Sequence, residues 1–334
     1  MTAPRVMFAR AGPIGNALAA VPALRALRKA WPEAFIALVL EPAASQALTG
    51  CPYVNEIIVY DKRGADSGFF GWLRIVRQLR KRKFTHAILS KRFFRMSFLA
   101  FAGGAEVRVG FEGYGCGLNR PVKWDPKQHA VESNLALVAE LGVNPDGYKL
   151  EIWPSVEDKE AAAQFLRTHN LIDHPFLVAI HSGGVSQMEY LWPVKKYIEL
   201  AKSLEETYSA MPIFIGGPPD SWVLSVVNQL VGERFPICRD LNIRAMGHLI
   251  SRCRIFIGSN SAPSHLACAV NTPSLIYYGS RPEHAEDIAR WKPLTGKVVS
   301  ALPSQKGTHP EVKQMMEHVA QLLRMLEPDK RRNP

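Results

Sequence analysis

Nowhere in the 334 residues is there a run of 18 uninterrupted apolar side chains, which excludes an ordinary membrane-spanning helix. No C-x-x-C pair occurs, and the cysteines number five (Cys51, Cys116, Cys238, Cys253 and Cys268), an odd and scattered set that excludes a zinc site of the usual spacing and a disulfide framework. The opening "MTAPRVMFARAG" lacks the charged start, apolar middle and small-residue cleavage site of a secretory signal, so the expectation is a cytoplasmic protein. Low-complexity tracts and short repeats are absent as well. So is any RNA-binding or helix-turn-helix signature, and the basic residues near Lys81 are not interleaved with aromatics, which argues against nucleic acid as a partner.

What is present is a chain 47% hydrophobic, enough for two full cores, with a formal net charge of +11 that favours an anionic partner. The densest basic stretch, "RQLRKRKF" from Arg77 to Phe84, reads as a solvated helix end, where the dipole favours cations. Lys91, Arg92 and Arg95 differ: they follow the apolar strand "THAILS" and sit at its C-terminal edge, where ligands bind in open parallel sheets. The run "FFRMSFLAFAGG" that follows has two readings, a buried helix or a peripheral contact with a membrane leaflet.

Short β-rich runs alternate with helical patterns, which predicts an α/β chain of parallel sheets. Predicted strands are "RVMFAR", "AFIALVL", "EIIVYD", "THAILS", "VRVGF", "FLVAIHSG", "MPIFIGG", "RIFIGS" and "SLIYYGS". Predicted helices include Asn16–Ala30, Phe70–Lys81, a segment ending at Gly142, Val194–Thr207, Ser221–Val231, Arg244–Arg252, Ala262–Val270 and Glu311–Leu326. The turn-rich segment "NPDGYKLEIWPSVED" divides the chain into two doubly wound domains, residues 1–150 and 151–334, facing each other across a cleft, and the polar tail "EPDKRRNP" after the last helix reads as a frayed end.

Four strand ends carry candidate chemistry. After "IFIGS", Asn260, Ser261 and Ala262 lead into a helix with Pro263 near its first position, Ser261 as N-cap and His265 in its first turn. Such a helix start suits an anion such as a diphosphate; equally, it is a capped helix with a structural histidine. After "VAIH", Ser182, Gly183, Gly184 and Ser186 offer a loop whose N–H groups wrap phosphate oxygens, and after "PIFI", Gly216 and Gly217 precede Asp220, suited to a ribose hydroxyl. After the first strand, Gly12, Gly15 and Asn16 form a glycine turn opening a helix. Three such loops in the C-terminal half point to a nucleotide diphosphate there, leaving the N-terminal domain for an acceptor.

The ordered combination resembles glycosyltransferase family 9, the lipopolysaccharide ADP-heptose transferases. It runs from "GPIGNALAAVPALRALRKAWPEAFIALVLEP" through "CPYVNEIIVYDK", "GAEVRVGFEG", "HAVESNLALVAELGV", "HSGGVSQMEYLWPVKKYIELAKSL" and "PIFIGGPPD" to "GSNSAPSHLACAVNTPSLIYYGS". The resemblance implies the GT-B fold of two Rossmann-like domains. It also implies transfer of heptose from ADP-heptose to a lipopolysaccharide core acceptor with inversion, no metal ion and no cofactor, and an anionic glycolipid as partner at the cytoplasmic face of the inner membrane.

This chain departs from that pattern at three places. The family's aspartate base in the glycine turn is Asn16, the lysine two residues before the Trp192-Pro193 pair is Tyr190, and the strand-end Asp-Ser/Thr-Gly-Pro is Asn260-Ser261-Ala262-Pro263. An amide takes no proton near neutral pH. The readings left open are an active enzyme with a substitute base (Glu41 or Glu112) and substitute cations (Lys91, Arg92 and Arg95, or Arg281), a transferase of altered donor or acceptor, and a protein that binds nucleotide sugar or glycolipid without turnover or supports a partner enzyme.

Overall fold

The computed structural model describes residues 3–92, 94–113, 117–184, 191–279, 284–303 and 308–327. The chain divides into two compact units, Met1–Trp153 and Pro154–Pro334.

In the first unit β1 (Arg5–Arg10), α1 (Ile14–Leu18), α2 (Val21–Ala30), β2 (Phe35–Leu40), α3 (Pro42–Leu48), β3 (Glu56–Val59), α4 (Gly68–Lys81), β4 (His86–Leu89), α5 (Phe94–Ala102), β5 (Val107–Phe111), β6 (Arg120–Val122) and α6 (Ala130–Ala139) follow in turn. Their six strands pair in parallel in the order β3-β2-β1-β4-β5-β6. The second unit contains α7 (Val156–Thr168), β7 (Leu177–His181), α8 (Val194–Tyr208), β8 (Met211–Ile215), α9 (Ser221–Val231), β9 (Ile237–Cys238), α10 (Ile243–Arg252), β10 (Ile255–Ser259), α11 (Ala262–Ala269), β11 (Ser274–Tyr277), α12 (His284–Trp291), β12 (Val298–Ala301) and α13 (Val312–Arg324). Its sheet, β12-β11-β10-β7-β8-β9, is also parallel throughout. Numbered within its own unit, each sheet has the order 3-2-1-4-5-6, the doubly wound arrangement. In it the chain leaves the first strand one way and later returns to its other side.

Strands β2, β7 and β10, inside their sheets, are buried on both faces, as helices on both sides of a parallel sheet require. The expected helix Asn16–Ala30 is two helices, because Pro22 lacks the N–H that would bond back to Leu18, so α2 restarts with proline in its first turn. The turn-rich segment is not a free linker either. Arg25 on α2 reaches Asp146 at 3.1 Å, Glu151 at 2.8 Å and the Lys149 carbonyl, and Tyr53 O–H donates to Glu151 at 2.9 Å, so this strap is docked on the first unit and the division falls at Trp153/Pro154.

The second unit opens with a capped helix that the sequence reading passed over. Ser155 and Asp158 cap α7 reciprocally, the Asp158 N–H donating to Ser155 Oγ and the Ser155 N–H to Asp158 Oδ2. The same carboxylate, buried, accepts Asn242 Nδ2 and Arg244 Nε at 2.7 Å each, while Asn242 caps α10. One aspartate thus ties two helix starts together. Burial works to raise its pKa, but the bonds from Arg244, Asn242 and the Ser155 N–H prevail and hold it at about 2.

The four described cysteines, Cys51, Cys238, Cys253 and Cys268, are unpaired and buried, and burial pushes each thiol up to about 12; Cys116 lies outside the described residues. Among the described residues no helix is long and apolar enough to cross a membrane.

Asp158→Ala removes a cap and the buried carboxylate that Arg244 and Asn242 bond, and is expected to cost roughly 2–3 kcal/mol in urea unfolding. Because the folded pKa lies below the unfolded one, the contribution is complete above about pH 4 and lost as pH falls towards about 2. The gap in melting temperature between wild type and variant should therefore close over that interval.

Candidate functional site

In a sheet of order 3-2-1-4-5-6 the crevice lies at the C-terminal ends of the first and fourth strands, where successive crossovers part to opposite faces. In the second unit these are β7 and β10, with β8 next to β7. The loops expected to hold a diphosphate thus leave three adjacent strands. Ser182, Gly183 and Gly184 follow β7; Gly216, Gly217 and Asp220 follow β8; and Asn260, Ser261 and Ala262 follow β10 and start α11, with His265 in its first turn. Ser186 and Tyr190, and likewise Arg281, lie outside the described residues.

Side-chain bonds knit these strand ends together. Ser259 Oγ donates to the Gly183 carbonyl at 2.9 Å, tying β10 to the loop after β7. At the start of α11 the Ser261 N–H donates to Ser264 Oγ at 3.2 Å, and Ser261 Oγ lies 3.1 Å from His181 Nδ1. On the other side of that imidazole, Nε2 lies 3.3 Å from Asp220 Oδ2, an ion-pair distance without hydrogen-bond alignment. The sequence reading has Asp220 bonding a ribose hydroxyl; the structure turns its buried carboxylate inward instead, to His181 and to the Gly217 N–H at 3.0 Å. Burial raises its pKa, and the nearby His181 imidazole together with the Gly217 and Gly184 N–H groups outweigh that, so it stays below the usual carboxylate range. The stabilisation it confers is present above the ordinary carboxylate range and lost as pH falls through the lowered value.

Gly183 is required by this packing, since a β-carbon there would fall 2.2 Å from Asp220 Oδ1. Ser182 Oγ is buried with no hydrogen-bond partner, which leaves a polar atom at the edge of the loop whose desolvation nothing offsets. His265 is half-buried, its ring edge-on to Trp291 at 5.6 Å. The Trp192 indole N–H donates to the Pro310 carbonyl at 2.8 Å and its ring meets Tyr197 edge-on, anchoring the start of α8.

The crevice of the first unit lies between β1 and β4. After β1, Gly12 takes φ +131°, which favours glycine, and a β-carbon on it would meet Asn16 Nδ2 at 2.6 Å, so the Asn16 amide folds over the bare glycine. Gly15 is buried in α1. Behind this turn the buried Arg10 guanidinium donates to the Asn16 carbonyl at 3.3 Å. After β4, Ser90 Oγ bonds Asn134 of α6, whose amide donates to the Ala19 carbonyl at 2.9 Å; the two walls of the crevice are thereby pinned to one helix.

Lys91 follows Ser90 and is half-buried. Burial first, then the neighbouring charges of Lys62 and Arg10, hold its ammonium below the usual lysine value. Glu41, at the end of β2, receives Lys62 Nζ at 2.7 Å, so this candidate base is engaged by a cation. Glu112 is exposed after β5, two strand spacings or roughly 10 Å from β1. Arg92 lies 5.5 Å above the Trp124 ring and against Gly113, and the exposed Arg95 works to lower the pKa of Tyr60 while burial raises it. The structure therefore brings Asn16, Lys91 and Glu41 to one edge and sets Glu112 and Arg95 farther out. Arg10, Lys62 and His181 escaped the sequence reading; a charged or imidazole side chain ending an apolar strand, as in "RVMFAR" and "LVAIH", was the available signal for two of them. Among the described residues no three His, Cys, Asp or Glu side chains gather as a metal-binding group.

Two doubly wound units in one chain, each with a polar crevice at the carboxyl edge of its sheet, have the architecture of a GT-B glycosyltransferase. The chain belongs to glycosyltransferase family 9 (heptosyltransferase), whose family model matches residues 72–319. It is 23% identical over 279 residues to the lipopolysaccharide core heptosyltransferase OpsX of Haemophilus influenzae, covering 80% of this chain and 77% of that one. In structure it is similar to a glycosyl transferase family 9 protein from Veillonella parvula (TM-score 0.87, 20% identity, 97% and 98% of the two chains) and to ADP-heptose lipopolysaccharide heptosyltransferase II of Escherichia coli (TM-score 0.76, 19% identity, 97% and 100%).

Gly183→Ala forces the pinned Asp220 carboxylate aside and is expected to cost about 1–3 kcal/mol in urea unfolding. Gly184→Ala, whose added carbon meets only the ends of the Leu191 side chain at 3.1–3.2 Å, should cost less.

Proposed function

We propose that this protein transfers a heptose from ADP-heptose to a lipopolysaccharide core acceptor, inverting the anomeric centre without a metal ion, at the cytoplasmic face of the inner membrane. The observation that carries the reading is the junction of β10 and α11 in a family 9 chain: the positive end of a helix, flanked by the glycine loops after β7 and β8, at the point where a sheet of this order binds its ligand. The diphosphate of the donor lies there, with the Gly183, Gly184, Gly216 and Gly217 loops around it and Ser182 Oγ supplying a further bond. Ser186, Tyr190, Asn260, Ser261, Ala262 and His265 complete the donor side. Asp220 contributes by holding His181 and the loops in place.

The first unit takes the acceptor. Arg10, Lys62 and Lys91 gather positive charge at the β1/β4 crevice, which suits an acceptor bearing phosphate or carboxylate groups, with Gly12, Gly15, Arg92 and Arg95 at its margin. In the reaction an acceptor hydroxyl oxygen bonds to the anomeric carbon as the bond from that carbon to the ADP phosphate breaks. ADP leaves with the electron pair and the hydroxyl proton passes to a base. Asn16 occupies the position of that base and cannot take the proton, so Glu41, released from Lys62 by an incoming anion, is the first substitute and Glu112 the second.

Asn16 also favours a second reading, in which the chain holds ADP-heptose or glycolipid without turnover or supports a partner enzyme. Calorimetric titration with ADP, UDP, GDP and ADP-heptose, followed by product analysis with a core-lipid acceptor, separates the two. Selective ADP binding with transfer supports the enzyme; ADP-heptose bound but intact supports the second reading; no nucleotide binding defeats the transferase and leaves only the glycolipid-holding or supporting form of the second. If the machinery is otherwise intact, Asn16→Asp is expected to raise the transfer rate by up to about 10²-fold.

A further inference from the structure

The helix α5 buries Met96, Ser97, Leu99 and Ala100 and turns Phe94, Phe98 and Phe101 to solvent, an i, i+4, i+7 aromatic stripe on the wrong face for a core helix. Against it stands α4, whose first turn carries Phe69 and Phe70, 67% and 84% exposed. The rings form one ladder. Phe101 and Phe94 stack on Phe98, Phe98 lies on Trp72 at 5.4 Å and 13°, Trp72 on Phe69 at 6.4 Å, and Phe70 meets Phe69 edge-on. Trp72 is partly buried against the core of the unit, so the ladder is rooted rather than loose. Solvated aromatics in such number are costly unless something covers them.

The charge carried by this stretch of chain is of one sign. Between Asp66 and Glu106 there is no acidic residue and there are nine Lys and Arg residues, of which Arg77, Arg80 and Lys81 are exposed on the same helix as Phe69 and Phe70. A second copy of this face would bring like charges together, which disfavours self-association. An anionic bilayer supplies what both features lack: headgroups for the cations and an interfacial zone that takes aromatic rings.

We propose that the α4–α5 face is a membrane-docking surface, with Phe70, Phe98 and Phe101 entering the headgroup boundary of an anionic bilayer and Arg77 and Lys81 contacting its phosphates. This rests on the peripheral contact proposed above and gives it a surface. The test contains no sugar acceptor, so its failure leaves the transfer reaction untouched.

The experiment is co-sedimentation of the full chain with vesicles of phosphatidylethanolamine plus phosphatidylglycerol, and with vesicles of phosphatidylcholine alone, alongside light scattering of the free protein. Wild type is expected to bind the anionic vesicles and to be released by about 1 M salt. The double variant Phe70→Ser/Phe98→Ser should weaken partition about tenfold or more, and Arg77→Glu/Lys81→Glu should do likewise; all four positions are exposed, and circular dichroism checks that each variant is folded. Absence of wild-type binding, undiminished binding by the folded double variants, or a wild-type dimer that the ring variant converts to monomer would each overturn the assignment.

Discussion

Everything functional in this molecule depends on a reversal of strand order. In each unit the first strand has neighbours built by crossovers that run to opposite sides of the sheet, so at its carboxyl end no loop can close over the gap between it and the fourth strand. The remainder of those strands is largely buried, which leaves this gap, where sheets of this order bind their ligands, lined by polar backbone and side chains. Arg10 and His181, each at the last position of an apolar first strand, mark the two gaps.

The two gaps are built with different electrostatics. In the first unit Arg10, Lys62 and Lys91 accumulate charge of one sign, with Glu41 as the nearby counterweight, and like charges held together in a partly buried place are relieved by an anion. In the second unit the charge is balanced internally: Asp220 faces His181, His181 faces Ser261, and what remains for a ligand is the uncharged start of α11 and the Ser182 hydroxyl. Neutral, preorganised donors suit a group whose negative charge grows as it departs, because they need no rearrangement as the charge develops. Asn260, the amide that follows β10, is likewise uncharged.

The alternation of strands and helices was legible because apolar periodicity is local, and so were the glycine loops after β7 and β8 and the proline-bearing start of α11. Two features were also local yet missed: the Ser155-x-x-Asp158 cap that begins α7, and Pro22 as the break between α1 and α2. The inward turn of Asp220 was not legible. Nothing within "GGPPD" states that an imidazole from another strand stands 3.3 Å away.

By itself the sequence determined the α/β class, the parallel sheets and the polar, glycine-bearing strand ends. Each of these follows from side-chain type and spacing along a few residues. Only the tertiary structure decided that β7, β8 and β10 are neighbours, that Lys91 comes within the field of Arg10 and Lys62, and that one α5 face is packed while the other presents Phe94, Phe98 and Phe101 to solvent. Those outcomes depend on which elements pack together across tens of residues of chain, and side-chain periodicity fixes that an element has an apolar face without naming what will cover it.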